Sequence, residues 1–207
     1  MLSAQAGKRQ VCVVCHLEMS IDGGDISLRP FSAAELLALR KSADEFERTA
    51  GLRAGDGLRD FLVSDAVSPS WLAKLRASGG VDPWRYGFAV VDGATRTVIG
   101  TASFKGPPDD TGMVEIAYGI VPSCQGRGLA TLAARALIEY ARRDARVRVV
   151  RAHTLPERNA STSVLGKCGF EFVGAVHDPE DGPVWRWSRT ACILDEDDRA
   201  DLLRLFR

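Results

Sequence analysis

The stretch VEIAYGIVPSCQGRGLATLAARALIEY, residues 114–140, decides the fold because it predicts a strand, a glycine-rich turn and a helix in immediate succession. Strand-forming residues run up to Val121, and Pro122, which lacks a backbone N–H, ends the strand pairing there. Gly126 and Gly128 supply the backbone freedom that a tight turn requires. The apolar residues that follow recur at helical spacing, so the chain leaves the turn as an amphipathic helix.

The predicted turn is suited to bind an anion. The first backbone N–H groups of a helix have no partner within the helix, and the helix dipole adds about half a positive charge at that end. Glycines at 126 and 128 remove the Cβ atoms that would keep a bulky diphosphate away from the backbone. The chain contains neither the GxxxxGK[ST] sequence of P-loops nor the three-glycine motif of dinucleotide-binding folds, so this phosphate site is of another kind.

The whole chain has the composition of one soluble globular domain with short extensions. It has 207 residues, of which 45% are hydrophobic and 26% are charged. Lys plus Arg and Asp plus Glu each number 27, so no global charge recruits nucleic acid or an anionic membrane. There is no apolar run of about 18 residues, and the apolar stretch after Lys8 and Arg9 is interrupted by His16 and Glu18, so we expect neither a transmembrane helix nor a cleaved signal peptide. Because the five cysteines form no disulfide pattern, we expect a cytoplasmic protein.

A second motif near the N-terminus offers a competing interpretation. Cys12, Cys15 and His16 form the CxxCH pattern by which haem is attached in c-type cytochromes. Covalent attachment of that kind normally happens outside the cytoplasm, and a zinc site would need a distant fourth ligand. The simpler interpretation treats both cysteines as small hydrophobic residues, so we expect no metal. A haem protein remains the third class of function, and a Soret band would reveal it.

The segments around the turn predict an α/β protein with a mixed sheet. A strand at residues 26–29 leads into a helix that Ser32 caps, with Glu35 completing a capping box. An antiparallel hairpin turns at residues 92–95. Four more strands are predicted at 112–121, 146–155, 170–178 and 184–189, and two helices at 128–143 and 159–169. We divide the chain into an N-terminal extension, a main domain and a helical tail, which comprise residues 1–24, 25–190 and 191–207.

Gln125, Gly128 and Ala130 form the pattern Q-x-x-G-x-A, which resembles the phosphate motif [QR]-x-x-G-x-[GA] of the GNAT superfamily of acetyl-CoA-dependent N-acetyltransferases. A later block, RAHTLPERNASTSVLGKCGFEFVGAV at residues 151–176, resembles the second motif of that family, in which an Asn begins a helix that ends in Lys-x-Gly-Phe. Its form is most similar to the subgroup that acetylates ribosomal-protein N-termini, the RimJ/RimL-like enzymes.

This resemblance implies a mostly antiparallel sheet of about six or seven strands, with helices on its faces. The strands that end at Val121 and near Thr154 would splay apart, and acetyl-CoA would lie between them. Backbone groups of Ile120 and Val121 would pair with the pantetheine arm, and Asn159 would contact that arm or act only as a helix cap. The pyrophosphate would be held by the turn, with the motif residues Gln125, Gly126, Arg127, Gly128, Leu129 and Ala130.

The resemblance also implies how an amine would be acetylated by direct attack in a ternary complex. Glu115, on the central strand, matches the glutamate that the family often uses as a base. Many relatives protonate the departing thiolate with a tyrosine where this chain has Gly166, so Ser161 is the substitute and Tyr118 the fallback. His153 is either structural or within reach of the cleft. Trp84 and Tyr86 either line the acceptor cleft or pack in the core.

We therefore expect an acetyltransferase that acts on a primary amine, the α-amine of a protein N-terminus, as a monomer or homodimer with no nucleic-acid or membrane partner. An antibiotic or polyamine is the alternative acceptor, and excess acid in the cleft would favour it. A module that binds acyl-CoA without turnover is the competing class, which an assay of thiol release with a panel of amines would separate from an enzyme.

Overall fold

The computed structural model describes residues 17–21, 24–63, 69–179 and 181–191. These residues contain nine strands, at Leu17–Ile21 (β1), Gly24–Pro30 (β2), Arg53–Ala54 (β3), Phe88–Asp92 (β4), Thr97–Phe104 (β5), Met113–Ile120 (β6), Val149–Thr154 (β7), Glu171–Asp178 (β8) and Gly182–Thr190 (β9). The α-helices among them are Ala33–Lys41 (α1), Ala43–Ala50 (α2), Asp60–Val63 (α3), Pro69–Ala77 (α4), Pro83–Tyr86 (α5), Leu129–Arg142 (α6) and Ala160–Lys167 (α7). None of these helices is long and apolar enough to cross a membrane.

The strands form one mixed sheet in the order β1-β2-β4-β5-β6-β7-β9-β8, with β3 paired to β5 outside this path. Among the strand pairs that the structure describes, β6–β7 and β3–β5 are parallel and the others are antiparallel. The predicted α/β class with a mostly antiparallel sheet is confirmed. The number of strands exceeds the expected six or seven, because β1 precedes the predicted domain and β3 has only two residues.

Two predicted motifs lie wholly or largely outside the described residues. Cys12, Cys15 and His16 fall before β1, so the structure bears neither on haem nor on zinc at that motif. The predicted C-terminal helix falls almost entirely beyond Ala191. Within the predicted N-terminal extension, Leu17–Ile21 pairs with β2 as the first strand of the sheet. The domain boundaries stay predictions.

The first helix shows the predicted cap. The Ser32 hydroxyl accepts from the Glu35 N–H, and the Glu35 carboxylate accepts from the Ser32 N–H, as a capping box requires. Glu35 also binds Arg29 at 2.8 Å. Helix α2 was not predicted; it has eight residues, of which only Phe46 is buried.

The core lies largely between the sheet and α6. Leu132, Ala133 and Leu137 on the predicted stripe are buried, as are Val114 and Ile116 on β6. These two residues alternate with polar Glu115, so one face of β6 packs in the core and the other face carries Glu115.

The two central strands separate where the motifs meet. β6 and β7 pair at three positions, the last of which joins Glu115 to Arg151. Beyond that position β6 stays paired with β5 as far as Ile120, and β7 stays paired with β9 as far as Thr154. The carboxyl-terminal halves of β6 and β7 therefore form a V-shaped gap in the middle of the sheet, as predicted.

Candidate active site

The turn between β6 and α6 exposes a row of free backbone donors. Gly126 and Gly128 have φ angles of 75° and 77°, in the left-handed region that glycine adopts without strain. Gly128 caps α6 without a side-chain hydrogen bond. In the part of the chain that the structure describes, no atom accepts a hydrogen bond from the five successive N–H groups of residues 126–130. These groups and the positive end of α6 form a site for an anion.

Gln125 closes this turn by a contact within the protein. Its side-chain Nε2 donates to the carbonyl oxygen of Ile120 at 2.8 Å. Val121 is also bonded internally, because its N–H donates to the Ile99 carbonyl and its carbonyl accepts from Cys124, both at 2.9 Å. The expectation that the Val121 backbone is open to a ligand is therefore wrong, since both of its polar groups are already paired.

The open backbone edge of β6 lies one residue earlier. The Glu115 carbonyl and the Val121 N–H both bond to β5, so the odd-numbered residues of β6 direct their polar groups toward β5. The backbone N–H and carbonyl groups of Tyr118 and Ile120 therefore point toward the side of β7, but β7 no longer pairs with β6 at these residues. The gap is lined by the N–H and carbonyl of Tyr118 and by the N–H of Ile120.

Helix α7 begins at Asn159, close to the end of β7. The Asn159 side-chain oxygen accepts from the Thr162 N–H, and the Thr162 hydroxyl accepts from the Asn159 N–H, both at 3.1 Å. Asn159 is thus a helix cap whose amide nitrogen is not used in that cap. Ser161 lies half-buried in the first turn. A side chain at Gly166 would meet nothing within 4 Å.

Glu115 lies at the point where the two strands separate, with its side chain only 12% exposed. Its Oε1 is 3.0 Å from Lys105 Nζ and 3.1 Å from His153 Nδ1. Lys105 also reaches Asp181 at 3.4 Å. Burial lowers the pKa of Lys105, but the hydrogen bond and charge of Glu115, together with the charges of Asp181 and Asp178, outweigh that effect, so the pKa is raised overall. The carboxylate and the ammonium are therefore held as an ion pair.

His153 connects Glu115 to the next strand pair. Its side chain is 8% exposed, its Nε2 lies 3.2 Å from Arg186 Nε, and its Nδ1 lies 3.8 Å from an oxygen of Asp178. These partners of His153 could not be predicted from neighbouring residues, because Glu115 and Arg186 lie 38 and 33 residues away along the chain.

A cleft of about 500 Å³ opens on the same face of the sheet as Glu115. Ala117 and Gly119 line it, and both share that face of β6 with Glu115 by alternation. Among the lining residues that the structure describes, Asp60 and Arg85 carry charge and the rest are apolar, aromatic or hydroxyl-bearing. The cleft therefore has no excess of acid.

The aromatic residues predicted for this cleft divide between two environments. Tyr86 lines the cleft, whereas the Trp84 ring packs against Phe104 and Tyr140. Trp185 and Trp187 share a face of β9, and both contact the exposed ring of Phe172 beside the start of α7.

Tyr118 carries a buried hydroxyl that lies within the fold without a partner among the described residues. Burial, with a smaller contribution from Cys168, raises the pKa of Tyr118 well above its ordinary value. This hydroxyl therefore keeps its proton.

Among the residues that the structure describes, no three His, Cys, Asp or Glu side chains are grouped to hold a metal ion.

The model of the acetyltransferase (GNAT) domain family matches residues 25–171, which is more than two thirds of the chain. The chain belongs to the GNAT acetyltransferase family. This assignment explains the combination of a splayed strand pair and a glycine turn, and the chain thus contains a GNAT acyltransferase domain.

Known proteins share this GNAT fold with different degrees of similarity. An uncharacterized N-acetyltransferase, p20 of Bacillus licheniformis, is 29% identical over 93 residues, which are 45% of this chain and 52% of that protein. The match thus spans about half the length of the curated relative. RimJ of Mycobacterium smegmatis, solved with a CoA-disulfide, superposes with a TM-score of 0.59 at 18% identity over 92% of this chain and 93% of that one. A ribosomal-protein-S5-alanine acetyltransferase from Vibrio fischeri superposes with a TM-score of 0.58 at 16% identity, over 86% of this chain and 99% of that one.

Proposed function

We propose that this protein transfers the acetyl group of acetyl-CoA to a primary amine. The observation that carries the proposal is the V-shaped gap between β6 and β7, which leads to five unpaired N–H groups at residues 126–130. A diphosphate at that turn and an extended amide chain in the gap would satisfy both sets of open backbone groups. The family assignment and the CoA-bound relative support the same co-substrate.

Acetyl-CoA would occupy the gap as follows. The pyrophosphate accepts hydrogen bonds from residues 126–130, and the amides of the pantetheine arm pair with Tyr118 and Ile120 in place of the missing strand. Val121 is not part of this site, whereas Asn159 would use its free amide nitrogen. The gap ends at Glu115, so the thioester of a fully bound acetyl-CoA lies nearest to that carboxylate.

The reaction requires one proton acceptor and one donor. Glu115 would take the proton of the amine, directly or through a water molecule, as its nitrogen attacks the thioester carbonyl. The carbon–sulfur bond then breaks and CoA leaves as a thiolate, which Ser161 would protonate while its hydroxyl takes up a proton from solvent. Tyr118 is a second candidate because its protonated hydroxyl has no acceptor in the described structure. The variants Ser161→Ala and Tyr118→Phe distinguish the two, since only loss of the true donor slows release of the thiol.

The acceptor that fits best is the α-amine of a protein N-terminus. A free α-amine has a pKa near 8, so about a tenth is neutral at pH 7, whereas a lysine with a pKa near 10.4 is almost wholly charged. A polyamine would need an acidic cleft, and the cleft here balances Asp60 with Arg85. The aromatic wall of the cleft suits the side chains of a peptide.

The thiols of Cys124 and Cys168 are free, which supports a reducing cytoplasm as the compartment of this enzyme.

An acceptor panel tests this proposal. Purified protein is incubated with acetyl-CoA and with short peptides that carry a free or a blocked α-amine, or with spermidine, and thiol release and product mass are measured. We expect acetylation of free α-amines, no product with blocked peptides, and a much lower kcat/KM with spermidine. Preference for spermidine would refute the assigned acceptor. Binding of acetyl-CoA without turnover on any amine would refute the enzyme.

The role of Glu115 has its own test. Glu115→Gln should lower kcat by roughly 10²–10⁴ at pH 7 with little change in acetyl-CoA affinity, because a general base contributes about that much. The loss should shrink at high pH, where the amine deprotonates without help. Glu171→Gln, on an exposed strand carboxylate, is the matched control and should be silent. Normal turnover by Glu115→Gln at pH 7 would make Glu115 an ordinary strand carboxylate.

A further inference from the structure

We propose that His153 is a positioning residue for Glu115. It would hold one carboxylate oxygen so that the other faces the acceptor amine. The inference rests on the proposed function, since it assigns His153 a role through the base of that reaction. It is carried by a chain of contacts that runs from β5 to β9 through the place where β6 and β7 separate.

The first step concerns the proton on the His153 ring. An arginine guanidinium can only donate, so Nε2, which lies 3.2 Å from Arg186 Nε, must be the acceptor nitrogen of the ring. With Nε2 as the acceptor, the proton of the ring is on Nδ1. That N–H then donates to Glu115 Oε1, 3.1 Å away. Arg186 therefore sets the tautomer that Glu115 requires.

The second step concerns the Glu115 carboxylate. Lys105 and His153 both approach the same oxygen, Oε1. In the described part of the chain, no donor is paired with Oε2. With two donors fixed on Oε1, the carboxylate cannot rotate freely, and Oε2 keeps its lone pairs for a proton from the amine. Because both side chains are nearly buried, water competes weakly for these hydrogen bonds.

The third step concerns location. Glu115 belongs to the last paired position of β6 and β7, and His153 lies two residues beyond its partner Arg151. The side-chain bond between Glu115 and His153 therefore links the two strands where their backbone pairing stops. A shift of β7 would move His153 and, through their hydrogen bond, the Glu115 carboxylate. The orientation of that carboxylate therefore depends on the geometry of the gap.

Three variants test the role of His153. His153→Leu should lower kcat for acetyl transfer by about 10–100-fold, which is the order of loss expected for a misplaced catalytic group, and leave KM for acetyl-CoA unchanged. His153→Asn offers an N–H near the position of Nδ1 and should recover most of that loss. His177→Leu, on an exposed histidine of β8, is the matched control. Thermal unfolding of each variant reports whether the fold is kept.

A double-mutant cycle with Glu115→Gln separates positioning from a general structural effect. If His153 acts through Glu115, His153→Leu should cause almost no further loss of kcat in a Glu115→Gln protein. Multiplicative losses, or equal losses in the Leu and Asn variants, would overturn the inference. A Glu115→Gln enzyme with full activity would instead refute the proposed base. A His153→Leu enzyme with normal kcat beside an impaired Glu115→Gln enzyme would refute only the positioning role.

Discussion

Replacing Gly126 with valine should weaken CoA binding by more than it destabilises the fold. Gly126 has a φ of 75°, and a side chain there would meet no protein atom within 4 Å. The cost to the free protein is therefore backbone strain of about 1–2 kcal/mol. For a chain of this length, that cost lowers Tm by roughly 2–8 °C.

The effect on the ligand is a separate quantity. If the pyrophosphate binds the N–H groups of residues 126–130 as proposed, a valine side chain at 126 would compete with it for space. Loss of even one charge-assisted hydrogen bond costs about 1.5–3 kcal/mol, which corresponds to roughly a 10–100-fold weaker Kd. Isothermal titration of CoA into the wild type and the variant measures this difference directly.

Gly51→Val is the matched control for this substitution. Gly51 ends α2 with a φ of 66°, and a side chain there would also meet nothing within 4 Å. The two variants should lose similar stability, but only Gly126→Val should lose CoA affinity. Equal CoA affinities in both variants would remove the turn from the binding site, whatever their stabilities.

Three further outcomes follow from the contacts described above. Glu35→Ala, which removes the ion pair with Arg29, should lower the free energy of unfolding measured in urea by about 2 kcal/mol. This is below the roughly 3–5 kcal/mol lost when a fully buried pair is broken, because the Arg29 side chain is 24% exposed. A change under about 0.5 kcal/mol would contradict this prediction. Since the pKa of Lys105 is raised above its ordinary 10.5, the charge-dependent part of the stability difference between wild type and Lys105→Met should be constant from neutral pH up to 10.5 and be lost as the pH rises further; a decline already at pH 8 would be inconsistent. Tyr118→Phe should leave the free energy of unfolding unchanged or raise it by up to about 1 kcal/mol, because the Tyr118 hydroxyl has no partner in the described structure. A clear loss of stability would show that the hydroxyl has a hydrogen-bond partner.

The sequence predicted the parts of the site that depend on neighbouring residues. The turn at residues 126–130, the cap at Asn159 and the capping box at Ser32 each arise from side chains and backbone groups within a few positions of one another. The stripe of α6 and the alternation on β6 are likewise local patterns that the burial of a core imposes.

The contacts of the site that the sequence did not predict depend on strand order. Glu115, His153 and Arg186 meet because β6, β7 and β9 are neighbours, and no local pattern encodes that order. Val121 was misjudged because its bonds to Ile99 and Cys124 depend on how the strand joins its turn. Helix α2 was missed because it has only eight residues and buries one of them, Phe46, so it offers little apolar surface from which a helix could be predicted.

Amide hydrogen exchange with and without CoA tests the central claim most directly. CoA should slow exchange at the N–H groups of residues 126–130 and at Tyr118 and Ile120, because these donors acquire acceptors only when the ligand is bound. Exchange at Val121, which already donates to Ile99, should change little. Protection confined to other parts of the chain, or no protection at a saturating CoA concentration, would contradict the placement of acetyl-CoA in the gap between β6 and β7.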